Sequence, residues 1–192
     1  MLFLDALPHA TLYEWDLGDM DYSAKNAALF SRIYAGRFHY YRGDSAKTVR
    51  NFITNHPNHK CDVVFVDGCK GIHGRLYDVG LFAPLATPRT MLFGDEANTR
   101  ECMSGEVDEQ HPLCALRHNT EWAWNRLVRS NALKWHNCSR PKHGQWSERD
   151  IVCLWSYTHQ ALNSFDPTKL LTPTEIKQLQ NKSDQWAGRC SL

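Results

Sequence analysis

Four aspartates, Asp16, Asp44, Asp67 and Asp95, each lie at or just past the end of a short apolar or aromatic run. Carboxylates set in a row like this do a recognisable kind of chemistry. One can accept hydrogen bonds from both hydroxyls of a ribose, and another can face an adenine amino group. Others can meet a substrate, a metal ion or the ammonium group of a bound molecule. The plain alternative is local: an aspartate after a strand commonly caps the next helix or shapes a turn. For Asp44 the two readings balance. Asp67 and Asp95 each end an apolar run, which favours a ligand-facing role.

The elements that must position these carboxylates alternate in type. Residues 12–17 (LYEWDL) read as a strand, residues 23–34 carry helical apolar spacing, and residues 37–41 (RFHYY) form an aromatic-rich second strand. Asp44 or Ser45 then caps a helix over residues 46–55. In residues 61–67 (CDVVFVD) the four consecutive apolar residues Val63 to Val66 predict a strand buried on both faces, as in a parallel sheet. A helix over residues 73–81 follows, then a strand over residues 90–94 ending at Asp95. Residues 96–110 are rich in Glu, Asp and Gly and suit a lid, and residues 113–131 are mostly helical.

The alternation then stops. Residues 132–138 and 150–157 are two strands joined by a polar link too short for a helical crossover, so they pair antiparallel. The expected fold class is α/β: a Rossmann-like, mostly parallel sheet with helices on both faces and a terminal antiparallel pair. Residues 1–157 form the domain, and residues 158–192 form a C-terminal extension. Within that extension Thr172-Pro173-Thr174-Glu175 is a capping box with proline at the first helical position, opening a helix that reaches about residue 186. In open α/β sheets ligands bind beyond the carboxyl ends of the strands, where the four aspartates lie.

The 192 residues suffice for one domain with a substantial core. With 42% hydrophobic and 22% charged residues the composition is globular, and a net charge of +1 gives no case for nucleic acid or an acidic membrane surface. No apolar run approaches a membrane span, and the first eight residues lack a basic region and a cleavage site. Seven cysteines at scattered positions contain no C-x-x-C pair. Cys61 and Cys153 sit in or beside strands and read as small hydrophobes. These features suggest a reducing, cytoplasmic setting. Trp122, Trp124, Trp135 and Trp155 can stack on an aromatic substrate, but such residues more often fill the seam between helix and sheet.

Taken in order, Glu14-Trp15-Asp16-Leu17-Gly18-Asp19, Gly43-Asp44-Ser45, Asp62 to Gly68 (DVVFVDG) and Gly94-Asp95-Glu96 resemble the successive motifs of class I S-adenosylmethionine-dependent methyltransferases. The resemblance covers residues 2–157 and includes the closing antiparallel pair. It implies that Asp16 binds the cofactor ribose, that Asp44 and Ser45 lie near its adenine, and that Asp67 faces the methionine end and the substrate. It also implies a first strand and a glycine-rich loop before residue 1, and no G-x-G stands in their place within the sequence.

After Asp67 the sequence reads Gly68-Cys69-Lys70. A lysine at that offset resembles the metal-dependent catechol and caffeoyl-CoA O-methyltransferases. In those enzymes the aspartate binds a divalent cation, the lysine is a general base, and two further ligands end the fifth strand. Here the corresponding residues are Asp67, Lys70, Asp95 and Glu96. Three hard oxygen ligands suit a cation such as Mg, which lowers the pKa of a bound hydroxyl. The alternative is that Lys70 is a solvated loop residue and Glu96 starts a helix. His73 is a further candidate base, or simply a polar residue in a helical first turn.

The sequence thus leaves three readings. The first is a methyltransferase acting on the oxygen of a small molecule. The second is a non-catalytic remnant or fragment of that fold. The third is another nucleotide-binding α/β protein, against which the absence of a G-x-G loop counts. A nucleic-acid methyltransferase of the amino-directed kind fits less well, because Asp67-Gly68-Cys69-Lys70 is not its N/D-P-P-Y/F motif.

Overall fold

The computed structural model describes residues 2–68, 71–97, 100–108, 110–111, 120–139 and 151–182. The chain divides into two compact units, Met1–His56 and Pro57–Leu192.

In the first unit, β1 (Leu12–Asp16) and β2 (Phe38–Arg42) pair in parallel, from Leu12 opposite Phe38 to Asp16 opposite Arg42. Strand side chains alternate between faces. Tyr13 stacks on His39 at 4.9 Å and Trp15 on Tyr41 at 5.4 Å, and Phe52 of α3 (Ser45–Asn55) meets Trp15 edge-on at 5.4 Å. On the other face Phe38 meets Phe30 of α2 (Asp21–Ile33) edge-on and joins Leu4, Ala27 and Tyr34 in a small core. Leu4 comes from α1 (Leu2–Ala6). The Arg37 guanidinium donates to the carbonyls of Leu4 at 3.0 Å and Leu7 at 3.2 Å, and the Tyr34 hydroxyl donates to Asp5 at 2.8 Å.

The second unit is built on four strands in the order β3 (Val63–Val66), β4 (Met91–Ala97), β6 (Ile151–Tyr157), β5 (Leu133–Ser139). β3 and β4 are parallel; β6 is antiparallel to both of its neighbours, and for the β5–β6 pair the short connection from residue 139 to 151 requires it. On one face lie α4 (Ile72–Phe82), α5 (Arg100–Met103) and α6 (Thr120–Arg129). There Trp124 and Trp155 are fully buried and stack with centroids 4.2 Å apart, so these two indoles fill the helix–sheet seam. A Cβ on Gly94 would stand 2.2 Å from the Trp124 ring, which explains glycine in the middle of a core strand.

Several expectations change. β3 is buried on one face only: Val64 and Val66 are covered, while Val63 and Phe65 are 40% and 51% exposed. A run of four apolar residues carries no alternation, so its pattern cannot distinguish one buried face from two. Residues 100–108, expected within a lid, are pinned instead. Cys102 and Met103 are buried, and the Asn125 amide donates to the carbonyls of Cys102 at 2.7 Å and Val107 at 2.9 Å.

The cysteines differ as well. Cys138 and Cys153 form a disulfide directly across the β5–β6 pair, and Cys102 is also disulfide-bonded; Cys61 keeps a free thiol, which burial pushes up from its ordinary pKa. Disulfides persist in oxidising compartments, which counts against the reducing, cytoplasmic setting read from cysteine spacing. Among the described residues no helix is long and apolar enough to cross a membrane.

The residues expected as an appended extension pack within the second unit. Thr158 caps α7 (His159–Ser164), and Gly80 of α4 lies against Phe165 and Pro167. α8 (Pro173–Lys182) opens on the expected capping box. The Thr172 N–H and hydroxyl donate to Glu175 at 2.7 and 2.8 Å, and the Glu175 N–H returns a bond to the Thr172 hydroxyl at 3.3 Å. Arg126 of α6 grips the same carboxylate with both terminal nitrogens, at 2.8 and 3.1 Å.

Candidate cofactor and substrate site

In the first unit the parallel register brings the carboxyl ends of β1 and β2 together. The Gly43 N–H donates to the Asp16 carbonyl at 2.8 Å, which sets Asp16 beside the Gly43-Asp44-Ser45 turn. The Asp16 carboxylate accepts the Gly18 N–H and closes a tight turn. Gly18 has φ +66°, and a Cβ there would meet Arg42 at 2.7 Å and the Tyr40 hydroxyl at 2.9 Å. Only glycine fits that turn. Burial raises the Tyr40 phenol above its ordinary pKa, and the nearby Asp16 and Glu14 charges add to the shift. Burial likewise raises Glu14, with Asp16 as the second cause.

Asp44 does what a local reading allows. Its side chain accepts the Ala46 N–H at 2.9 Å as the N-cap of α3, and its carbonyl accepts the Thr48 hydroxyl at 3.0 Å. Ser45 is the first residue of the helix. One carboxylate oxygen of Asp44 thus serves the helix.

In the second unit Asp67 follows β3 directly and is exposed. Beneath it, the buried Arg75 guanidinium donates to the Val66 carbonyl and lies 5.5 Å from the Trp124 ring centre. A Cβ on Gly68 would come 2.6 Å from the buried Asp78 carboxylate. The end of β3 is thus braced from below by two charged residues of α4. Sequence reasoning missed Arg75, although a signal existed: it falls on the same helical stripe as Ile72, Leu76 and Val79. His73 sits in the first turn of α4.

Asp95 and Glu96 lie inside β4, which runs on to Ala97, rather than after it. Gly94 pairs with Cys153 and Ala97 with Ile151, so two residues, Asp95 and Glu96, oppose the single Val152 in a β-bulge. The sequence placed the strand end at Gly94 because the bulge interrupts the apolar pattern there. Lys70 lies outside the described residues, as do the side chains of Asp95 and Glu96. Among the described residues no three His, Cys, Asp or Glu side chains converge as a metal cage.

No protein-family model and no curated protein matches the chain. Solved structures do. The O-methyltransferase from Bacillus cereus, in complex with SAH, superposes over 77% of this chain with a TM-score of 0.53 at 14% identity. A Klebsiella pneumoniae protein assigned as an O-methyltransferase matches over 77% of the chain with a TM-score of 0.53 at 11% identity. This chain spans 63% and 61% of the length of those two proteins. The chain thus has a mixed α/β, Rossmann-like fold similar to that of those proteins, with parallel strands and a closing antiparallel pair.

Proposed function

We infer that this chain is part of an S-adenosylmethionine-dependent methyltransferase that acts on an oxygen of a small molecule. The observation that carries the reading is the placement of Asp16 beside Gly43 and Asp44 at the carboxyl ends of a parallel pair, with a glycine-only turn at Gly18. A carboxylate at such a strand end accepts ribose hydroxyls, and a turn without a Cβ lets the backbone approach a ligand. The fold match to a methyltransferase in complex with SAH supports the same reading.

In this proposal Asp16 holds the ribose, and Asp44 with Ser45 flanks the adenine. Asp67 faces the methionine end. The bound cofactor supplies an electrophilic methyl group. Lys70 accepts the proton of the substrate hydroxyl, and the resulting oxygen nucleophile must be held in line with the methyl group, so positioning dominates the rate. A divalent cation such as Mg is the finer part of the proposal, held by the oxygen donors of Asp67, Asp95 and Glu96.

Calorimetric titration of the full chain with S-adenosylmethionine, with and without magnesium, tests the reading. Saturable binding that Asp16→Ala weakens at least tenfold is the expected result. Asp95→Ala should matter only when magnesium or substrate is present. No heat and no thermal shift at millimolar cofactor would sink the enzyme reading and leave a non-catalytic remnant of the fold.

A further inference from the structure

Asn137-Cys138-Ser139 is a sequon for N-linked sugar: an asparagine two positions before a hydroxyl residue, with no proline between. The tripeptide lies in β5 at a break in the ladder. Trp135 is opposite Trp155 and Asn137 is opposite Leu154, so His136 is the extra residue of a bulge. Asn137 and Ser139 are exposed. Between them the Cys138 sulfur is bonded to Cys153, and strand alternation turns its two neighbours the other way. The Asn137 Oδ1 accepts the Cys138 N–H at 2.9 Å, and Nδ2 has no partner among the described residues.

A three-residue match decides nothing alone, because the same tripeptide occurs in reducing compartments, where no sugar is added to it. The cysteines supply the compartment. Among the described cysteines, Cys102, Cys138 and Cys153 are disulfide-bonded and Cys61 is free. Disulfides form and persist in the oxidising compartments through which secreted and surface proteins pass, and a sequon at the surface of such a protein is an acceptor.

We propose that Asn137 carries an N-linked oligosaccharide, received in an oxidising compartment from a donor linked to a polyisoprenyl diphosphate. Nδ2 forms a bond to the anomeric carbon of the donor sugar. The bond from that carbon to the diphosphate oxygen breaks, the lipid diphosphate leaves with the electron pair, and one Nδ2 proton passes to solvent. Transfer to the emerging chain precedes β6, so Cys153 has yet to engage Cys138 when the sequon is read. In the folded chain β5 ends the described strand order, beside β6. A bulky hydrophilic group on an exposed residue there displaces no buried side chain. Asn181-Lys182-Ser183 is a second sequon. Its serine lies outside the described residues, so the proposal rests on Asn137 alone.

Mass spectrometry of the full-length protein from its source cells tests this. Release of the sugar by a peptide-N-glycosidase in heavy-oxygen water should convert Asn137 to a labelled aspartate. Expressed in the same cells, Asn137→Gln should lose the mass of one glycan. Ser139→Ala should lose the same glycan, and Ser139→Thr should keep it. A merely structural role for these residues would change no mass. Unlabelled Asn137 in every peptide that covers it would overturn the proposal, and so would a glycan mass unchanged by Asn137→Gln and Ser139→Ala. The readout is mass and not activity, so its failure is distinct from failure of the methyl-transfer reading.

Discussion

The backbone N–H of Gly43 donates to the carbonyl of Asp16 across 2.8 Å. This single bond extends the β1–β2 ladder one step past the last strand pair. It places two carboxylate-bearing turns, distant in sequence, side by side. The turns then hold themselves: Asp16 accepts from Gly18, and Asp44 accepts from Ala46.

The turn at Gly18 should tolerate no side chain. At φ +66° alanine is strained, and its Cβ would strike Arg42 and the Tyr40 hydroxyl. Gly18→Ala should cost about 2 kcal/mol, from the left-handed backbone and the contact together. Denaturant unfolding followed by tryptophan emission measures the loss. A change within experimental error would show that the turn relaxes freely.

Asp44 has a capping role that can be separated from any ligand role. Asp44→Ala should destabilise the chain by about 1 kcal/mol through the lost N-cap, whether or not cofactor is present. Asp44→Ser keeps an oxygen for the Ala46 N–H and should restore most of that stability. If the serine variant still binds S-adenosylmethionine weakly, the carboxylate itself serves the ligand.

Glu175 should make stability depend on acid pH. Burial raises its pKa, but the Arg126 guanidinium and the Thr172 N–H and hydroxyl outweigh that and hold it below the ordinary glutamate range. A folded pKa below the unfolded one adds stability that is fully present above the unfolded value. That stability is lost as pH falls through the folded value. Melting temperatures of the parent chain and Glu175→Gln should therefore converge toward acid pH and separate above it. A constant difference between the two at every pH would contradict the assignment.

The Cys138–Cys153 disulfide joins residues 15 apart in sequence. Closing a loop of that size constrains the unfolded chain by about 3 kcal/mol in the chain-entropy account. The double variant Cys138→Ser with Cys153→Ser should lose stability of that order. Peptide mapping without reduction should recover the two residues in one linked fragment. Recovery of both as free thiols from oxidatively folded protein would refute the pairing.

Much of the local structure was legible in the sequence. Thr172 and Glu175 announce their helix because the capping box closes within four residues. Asp44 caps α3 for the same reason, and the short link between β5 and β6 dictates an antiparallel pair. The strand-end aspartates could be named because apolar runs and turn residues punctuate the chain at each one.

What only the tertiary structure decided depends on partners distant in sequence. Register across β5 and β6 sets Cys153 opposite Cys138, and spacing alone does not predict that pairing. The bulge that draws Asp95 and Glu96 into β4 exists only against β6. Arg75 is buried because Val66 and Trp124 close over it. The sequence determined which segments form and where each one stops, since capping, turn geometry and side-chain period act over a few residues. Burial and disulfide pairing were left to the fold, because each depends on what a side chain meets after the chain has closed on itself.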